Sequence, residues 1–152
     1  MREATAEDVP VLVELMADFY AEAGYELDRE HAAGAFAAIL QDERLGHVWL
    51  LQAGQEDVGH VVITLKYAME YGGRVACLDD LYVRKEWRNR GVSSAALGEV
   101  RRFCEGSGIR AMTVEVGFQN GAAQTVYRRV GFAEAPDRQL LVLPLAAPTH
   151  KV

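Results

Sequence analysis

Arg88-Asn89-Arg90-Gly91-Val92-Ser93-Ser94 is the stretch that decides the fold of this chain. It follows a short apolar segment that predicts a strand, residues 77–83, and it opens a segment with helical apolar spacing. The order strand, basic glycine turn and helix places unpaired backbone N–H groups at a helix N-terminus, beside arginine side chains. Such a corner binds anions, so the sequence predicts a site for a phosphate-bearing ligand.

Two common phosphate-binding motifs are absent from the sequence. A Walker loop needs a Gly-Lys pair, which the chain lacks, and a dinucleotide fingerprint needs further glycines in the turn, where Gly91 stands alone. The turn instead reads R-x-x-G-x-S from Arg88 to Ser93. This pattern resembles the pyrophosphate loop of the GCN5-related N-acetyltransferases, Q/R-x-x-G-x-G/A, with Ser93 in place of the final glycine or alanine.

A second signature lies further along the chain, in residues 120–132, which read N-x-x-A-x-x-x-Y-x-x-x-G-F. It is similar to the second signature of the same acetyltransferases. Its fixed positions are all matched, by Asn120, Ala123, Tyr127, Gly131 and Phe132. A third match, Leu78-Asp79-Asp80-Leu81-Tyr82-Val83, resembles the acidic strand before the loop in diamine and small-amine acetyltransferases. The chain is therefore identified as a member of this family, closest in pattern to those enzymes.

The composition limits what the chain does. Its 152 residues predict one domain, residues 1–145, followed by a loose tail, residues 146–152. The sequence has no long apolar run and no apolar segment after Arg2, so we expect neither a membrane span nor a secretory signal. Cys77 and Cys104 have neither metal-ligand nor disulfide spacing, and we expect both to be small buried residues in a reducing cytoplasm.

The formal net charge of the chain is −6, from 16 basic and 22 acidic residues. This balance argues against nucleic acid as a partner, because proteins that bind duplexes usually carry a basic face on a basic domain. An acidic excess either attracts a cationic substrate such as an amine or simply keeps the protein soluble.

The spacing of apolar residues predicts the element order β-α-α-β-β-β-α-β-α-β. The predicted strands cover residues 2–4, 46–53, 58–69, 77–83, 110–116 and 139–145. The first predicted helix begins with a capping box of Thr5 and Asp8 and ends at Gly24. The other predicted helices cover residues 28–42, 91–107 and 121–130.

The resemblance implies an α/β (α+β) fold in which about four helices flank a mixed, mostly antiparallel sheet. That sheet splays open between its fourth and fifth strands, here residues 75–83 and 110–116. Acetyl-CoA would lie in the gap, with its pyrophosphate on the loop and its pantetheine along the fourth strand. The implied contacts are Leu81, Tyr82, Val83, Arg88, Asn89, Arg90, Gly91, Val92, Ser93, Ser94, Asn120, Ala123 and Tyr127. No metal ion is implied. Four further cations either bind the ribose 3′-phosphate or form a solvated basic face: Arg84, Lys85, Arg128 and Arg129.

Acetyl transfer to an amine requires a group that removes a proton, because an alkyl amine is protonated at neutral pH. Asp79 and Asp80 are the candidates, directly or through water, and Glu115 on the next strand is a third. Adjacent carboxylates on a strand point to opposite faces unless a bulge intervenes, so we expect one aspartate to face the cleft. In the structural alternative, both aspartates serve in salt bridges or caps.

The resemblance assigns Tyr127 as the general acid that protonates the CoA thiolate, whereas in the alternative its ring packs in the core. Asn120 would hydrogen-bond the pantetheine arm, cap the following helix, or do both. Backbone N–H groups of Leu81 or Tyr82 would hold the oxyanion. His60 lies in the middle of a predicted strand and either reaches the acceptor or sits in the core or on the surface.

Two functions from different classes fit these residues. The first is a cytoplasmic N-acetyltransferase that passes the acetyl group directly to a primary amine, and the acidic strand favours a small cationic one. The second is a catalytically inactive module that binds acyl-CoA as a sensor or structural unit. Family members are often homodimers, so the resemblance permits a homodimer. Trp49, Trp87 and Phe118 are expected to pack, while Tyr20, Tyr25, Glu26 and Glu30 either line an acceptor pocket or lie on the surface.

Overall fold

The structure of the protein, a computed structural model, describes residues 1–148 and the backbone of residues 150 and 151. The strands are β1 (Arg2–Glu3), β2 (Glu26–Leu27), β3 (Gly46–Ala53), β4 (Glu56–Ala68), β5 (Gly73–Val83), β6 (Ala111–Val114) and β7 (His150–Lys151). The α-helices are α1 (Val9–Glu22), α2 (Arg29–Gln41), α3 (Val92–Gly106) and α4 (Gly121–Val130). The predicted capping box is present, with the Thr5 N–H donating to Asp8 at 2.8 Å, and a short 3₁₀ turn, Ala6–Asp8, precedes α1.

Five strands form one mixed sheet in the order β1-β3-β4-β5-β6, and β2 pairs with β7 in a separate ribbon. Neighbouring strands of the large sheet are antiparallel except β5 and β6, which run parallel. Together with the four helices in the described chain, this is the predicted mixed α/β fold. None of the described helices combines the length and the apolar character needed to cross a membrane.

Apolar side chains on both faces of the sheet determine where the helices pack, because successive residues of a strand point to opposite faces. One face is covered by α1 and α2 and contains Leu12, Leu15, Phe36, Val48, Leu50, Val62 and Tyr82. The other is covered by α3 and α4 and contains Trp49, Leu51, Val61, Ile63, Leu78, Leu97 and Val100. Each such leucine, isoleucine or phenylalanine stabilises the fold by about 1.5–3 kcal/mol when fully buried.

The sheet opens along the outer edge of β5. The parallel ladder between β5 and β6 runs from the pair Val75–Ala111 only to the pair Leu78–Val114. Beyond Leu78 this edge has no strand partner in the described part of the chain, while the other edge stays paired with β4 as far as Val83. The predicted splay is therefore present.

A β-bulge interrupts β5 inside its acidic segment. Val62 of β4 pairs with Asp80 and the next residue, Ile63, pairs with Leu78, so Asp79 is the extra residue. The alternation expected for two adjacent strand residues does not hold at a bulge. The prediction that Asp79 and Asp80 point to opposite faces held only for a regular strand, so it does not apply to this bulged one.

The predicted strand at residues 139–145 is wrong. These residues form no strand, and the side chains of Leu141, Leu143 and Leu145 are 83%, 82% and 92% exposed. The apolar composition resembles that of a strand, but a strand also needs a partner edge, and the chain does not bring this segment to one. Of the predicted loose tail, His150 and Lys151 belong to β7, and residues 149 and 152 lie outside the described residues.

Candidate active site

A cleft of about 800 Å³ lies beside the free edge of β5. Its walls come from the last turn of α1, the end of β5, the loop before α3, the first turn of α3 and one side of α4. Every predicted acetyl-CoA contact except Arg90 lines this cleft. Segments 81–94 and 120–127, which the two signatures mark in the sequence, therefore meet in space.

The N-terminus of α3 presents backbone donors to the cleft. Gly91 is the N-cap residue with a left-handed φ of 78°, and it makes no side-chain cap. The N–H groups of Val92, Ser93 and Ser94 belong to the first turn of the helix, which has no earlier turn to accept them. The positive end of the helix dipole adds to these donors, so the corner is suited to bind an anion such as a diphosphate.

Arg88 lines the cleft, but its side chain is held by α1. The guanidinium donates to both carboxylate oxygens of Glu22, at 2.9 and 2.8 Å, and Nε donates to the Val83 carbonyl at 2.8 Å. The Tyr82 hydroxyl donates to the same carboxylate at 3.0 Å. Burial favours the neutral form of Glu22, yet the hydrogen bonds from Arg88 and Tyr82 hold its pKa below the usual value. Arg88 thus ties the loop to α1.

The other cations of this region differ in whether acidic or aromatic side chains already engage them. Arg84 and Arg128 form ion pairs with carboxylates, and the Arg90 guanidinium lies 4.9 Å from the centre of the Trp87 ring. Arg129 lines the cleft. Among the cations predicted for a ribose 3′-phosphate, Arg129 is the one that the structure brings to the cleft, whereas Arg84, Lys85 and Arg128 do not line it.

α4 provides the wall opposite the loop signature. Asn120 is its N-cap residue, and the side-chain oxygen accepts the Ala123 N–H at 3.1 Å, which leaves the side-chain NH₂ group available as a donor. Tyr127 lines the cleft and packs edge-on against Phe132, with ring centroids 5.7 Å apart. Burial, with the negative charge of Asp80, raises the pKa of the Tyr127 phenol. The phenol therefore stays protonated at neutral pH.

Three carboxylates gather around the bulge of β5. Burial raises the pKa of Asp79, and the negative charges of Asp80 and Glu115 raise it further. The Asp80 side chain is 15% exposed. Neither aspartate lines the cleft itself, although Asp80 acts electrostatically on Tyr127, which does. This placement suits proton transfer through water better than direct contact with an amine in the cleft.

Several aromatic and polar residues lie apart from the cleft. His60 and Trp49 are buried in the core, and Phe118 is fully exposed, which contradicts the prediction that it packs. The turn before α4 places the Phe118 ring in solvent. Tyr25, Glu26 and Glu30 are exposed, Tyr20 packs partly against the core, and none of these four lines the cleft. Cys104 is buried as expected, but Cys77 is only half-buried.

The contribution of α1 to the cleft was not predicted. Phe19, Glu22 and Ala23 line it. Phe19 fits the helical apolar spacing, so the sequence pattern predicts a core residue rather than a cleft residue at this position. Glu22 carries no local signal, because its partner Arg88 lies 66 residues further along the chain.

Together these features define a class of protein: a mixed α/β fold with an anion-binding helix N-terminus, a free strand edge and a half-buried tyrosine, Tyr127, around one cleft. The family model described as the acetyltransferase (GNAT) family matches residues 10–132. The chain belongs to the GNAT acetyltransferase family.

Several solved structures resemble this chain in fold, and the functions stated for two of them differ. An integron cassette protein, HFX_CASS3, from the mobile metagenome of Cole Harbour Salt Marsh is 44% identical with a TM-score of 0.90, over 97% of this chain and 91% of that chain. The aminoglycoside N-acetyltransferase AAC(6')-Iy, solved with the bisubstrate analogue CoA-S-monomethyl-acetylneamine, is 17% identical with a TM-score of 0.78, over 96% and 97%. A ribosomal-protein-alanine N-acetyltransferase from Brucella melitensis biovar Abortus 2308 is 18% identical with a TM-score of 0.74, over 93% and 98%. The chain matches none of the curated proteins with which it was compared.

Proposed function

We propose that this protein is an N-acetyltransferase that passes the acetyl group of acetyl-CoA directly to a primary amine in a ternary complex. One observation carries the proposal: the uncapped N-terminus of α3, the free edge of β5 and Tyr127 all line a single cleft. An anion site, a strand edge and a proton donor are what a thioester carried on a diphosphate cofactor requires. Membership of the family supports the same activity.

The cosubstrate is held mainly by backbone groups. The N–H groups of Val92, Ser93 and Ser94 bind the pyrophosphate, and the pantetheine arm lies along residues 81–83 of β5. The side-chain NH₂ of Asn120 donates to the arm, and Arg129 binds the ribose 3′-phosphate. The similar aminoglycoside enzyme is solved with a CoA-based analogue, which supports the same cosubstrate here.

The chemistry proceeds by attack of the neutral amine nitrogen on the thioester carbonyl carbon. The amine proton leaves to Asp79 or Asp80 through water, and backbone N–H groups of Leu81 or Tyr82 stabilise the oxyanion. When the carbon–sulfur bond breaks, the thiolate takes a proton from the Tyr127 hydroxyl. The raised pKa of Tyr127 keeps that proton in place until the thiolate forms.

The acceptor is a small cationic amine in this proposal. The carboxylates of Asp79, Asp80 and Glu115 concentrate negative charge near the cleft, and the chain carries a net charge of −6. A similar structure is that of a protein-alanine acetyltransferase, so a protein amine is the competing acceptor. We place the enzyme in the cytoplasm, which the free thiols of Cys77 and Cys104 support.

We also propose that the protein forms a homodimer through the exposed segment Leu140-Leu141-Val142-Leu143-Pro144-Leu145. Its five large apolar side chains are 60–92% exposed. The segment carries no charge, so two copies of it can meet without charge repulsion between the two segments. A two-fold interface uses the same patch on both subunits, which one self-complementary apolar segment provides.

Calorimetric titration with acetyl-CoA, followed by a thiol-release screen over an amine panel, tests the function. Tyr127→Phe is expected to lower kcat about 100-fold, the contribution typical of a general acid, while acetyl-CoA affinity changes little. Tyr67→Phe removes a phenolic hydroxyl from an exposed hairpin outside the cleft, and it should change neither kcat nor acetyl-CoA affinity. Binding without thiol release on any amine would support the sensor module instead, and unchanged kcat in Tyr127→Phe would remove the assigned acid.

A further inference from the structure

His60 is the one polar residue buried in the core among the residues that the structure describes, with no exposed surface at all. Neither ring nitrogen has a hydrogen-bond partner within the described chain. Buried polar atoms are normally paired, and an unpaired one destabilises a protein unless it serves another purpose. His60 is therefore a residue whose presence in the core needs an explanation.

In the part of the chain that the structure describes, one charged side chain lies within ion-pair distance of His60. It lies in the middle of β4, opposite Leu50 of β3 and Tyr82 of β5, and the Phe36 ring of α2 packs edge-on at 6.1 Å. Leu50 and Phe36 carry no titratable group. The Tyr82 hydroxyl is directed to a carboxylate of α1 rather than to the imidazole. The remaining neighbour is Asp80.

Asp80 connects this buried imidazole to the reacting groups. Its Oδ2 lies 3.7 Å from Nε2 of His60, which is longer than a hydrogen bond, so the two groups bond only when the carboxylate turns toward the imidazole. The charge of Asp80 also acts on Asp79 and on Tyr127. Catalytic hydrogen bonds are often long in free enzymes and shorten when substrate binds.

We propose that His60 is a positioning residue that donates an Nε2–H hydrogen bond to Oδ2 of Asp80 and orients this carboxylate as the proton acceptor for the amine. This inference rests on the proposed function. His60 transfers no proton itself, because it has no exposed surface and cannot reach the acceptor. The second oxygen of Asp80, Oδ1, remains free to receive the amine proton through water.

The hydrogen bond has a predictable effect on the pH profile of the enzyme. A donor that bonds a carboxylate stabilises its charged form, which is the form that accepts a proton. His60→Phe should therefore move the acid limb of kcat/KM to higher pH by about one unit, the size expected from one hydrogen bond to a charged group. Proton NMR of the free protein should show the Nε2–H of His60 downfield of a free imidazole N–H, and Asp80→Ala should remove that downfield shift.

Two further variants separate positioning from packing. His60→Gln keeps a side-chain N–H near the position of Nε2 and should restore most of the wild-type profile. Leu50→Val removes a methylene beside His60 without changing a polar group, and it should leave the acid limb and the Nε2–H resonance unchanged. Where His60→Phe does not fold, His60→Leu, which also lacks a donor, takes its place.

The outcomes distinguish this inference from the proposed function. An unchanged acid limb in His60→Phe would overturn the positioning role, and so would an equal shift of the limb in Leu50→Val or a Nε2–H resonance that Asp80→Ala leaves in place. If the wild-type protein acetylates no amine but Asp80→Ala removes the downfield shift of the Nε2–H, the hydrogen bond stands and the proposed function falls.

Discussion

Asp79 is a residue whose environment opposes its own charge. Burial raises its pKa, and the carboxylates of Asp80 and Glu115 add to the effect. When the pH is well below the usual pKa of an aspartate, Asp79 is protonated in both the folded and the unfolded chain. As the pH rises the unfolded chain ionises first, so the free energy of unfolding falls until the folded carboxyl has ionised too. Charge conflicts of this kind are common where proton transfer occurs.

Asp79→Asn is therefore expected to raise the melting temperature at neutral pH and to lower turnover. The substitution removes the charge that the folded state disfavours, and the difference from wild type should vanish at acid pH, where Asp79 is protonated in both states. Thermal unfolding as a function of pH, together with the thiol-release assay, measures both effects. Asp137→Asn, in an exposed segment, is the control and should change neither. A lower melting temperature for Asp79→Asn at neutral pH would contradict the prediction.

At the scale of elements, α3 contains two glycines with opposite backbone roles. Gly91 precedes the helix with a φ of 78°, a left-handed conformation that only glycine adopts without strain. Gly98 lies inside the helix, where a Cβ would have only Arg102 Nη1 nearby, at 3.8 Å. The first glycine shapes the anion-binding corner, whereas the second only weakens the helix.

This contrast predicts opposite effects of the same substitution. Gly91→Ala should reduce the free energy of unfolding by about 1 kcal/mol, because alanine is strained in the left-handed region. Gly98→Ala should increase it by about 1 kcal/mol, the difference in helix propensity between the two residues. Urea unfolding measures both values. Calorimetry with acetyl-CoA should show weaker binding for Gly91→Ala alone, and equal stability of the two variants would show that the loop does not require glycine.

At the scale of the whole molecule, the segment from Leu140 to Leu145 lies largely exposed between two attached parts of the chain, Arg138 before it and β7 after it. Arg138, just before it, donates to both carboxylate oxygens of Glu70, at 2.9 and 3.0 Å. Leu145 and Leu141 are 92% and 83% exposed. A contiguous apolar patch of this kind marks an interaction surface in most soluble proteins.

Lysine substitutions at Leu141 and Leu143 should convert a dimer into a monomer, because burying two charges against their copies costs more than the interface gains. Light scattering coupled to size-exclusion chromatography measures the molecular mass. Phe118→Lys is the matched control, since Phe118 is fully exposed but lies outside the segment. A wild-type protein that is monomeric at high concentration would rule out this interface.

The family and the identity of most cleft residues were available from local sequence patterns. The signatures around Gly91 and Tyr127 are short runs whose side-chain spacing reflects one loop and one helix, so neighbouring residues suffice to recognise them. Helix boundaries followed for the same reason: Asp28 and Asn120 occupy the N-cap positions that short polar residues favour. The predicted helix at residues 121–130 coincides with α4.

What only the tertiary structure decided depends on residues far apart in the chain. The bulge at Asp79 arises from the register between two strands, and the hydrogen bonds that Arg88 donates to Glu22 join α1 to a loop 66 residues away. His60 comes next to Asp80 only through the pairing of β4 with β5. The failed strand at residues 139–145 has the same origin, because strand formation requires a partner edge. Local chemistry therefore determined the helices and the cofactor motifs, while long-range pairing determined which strands form and how the charged side chains meet.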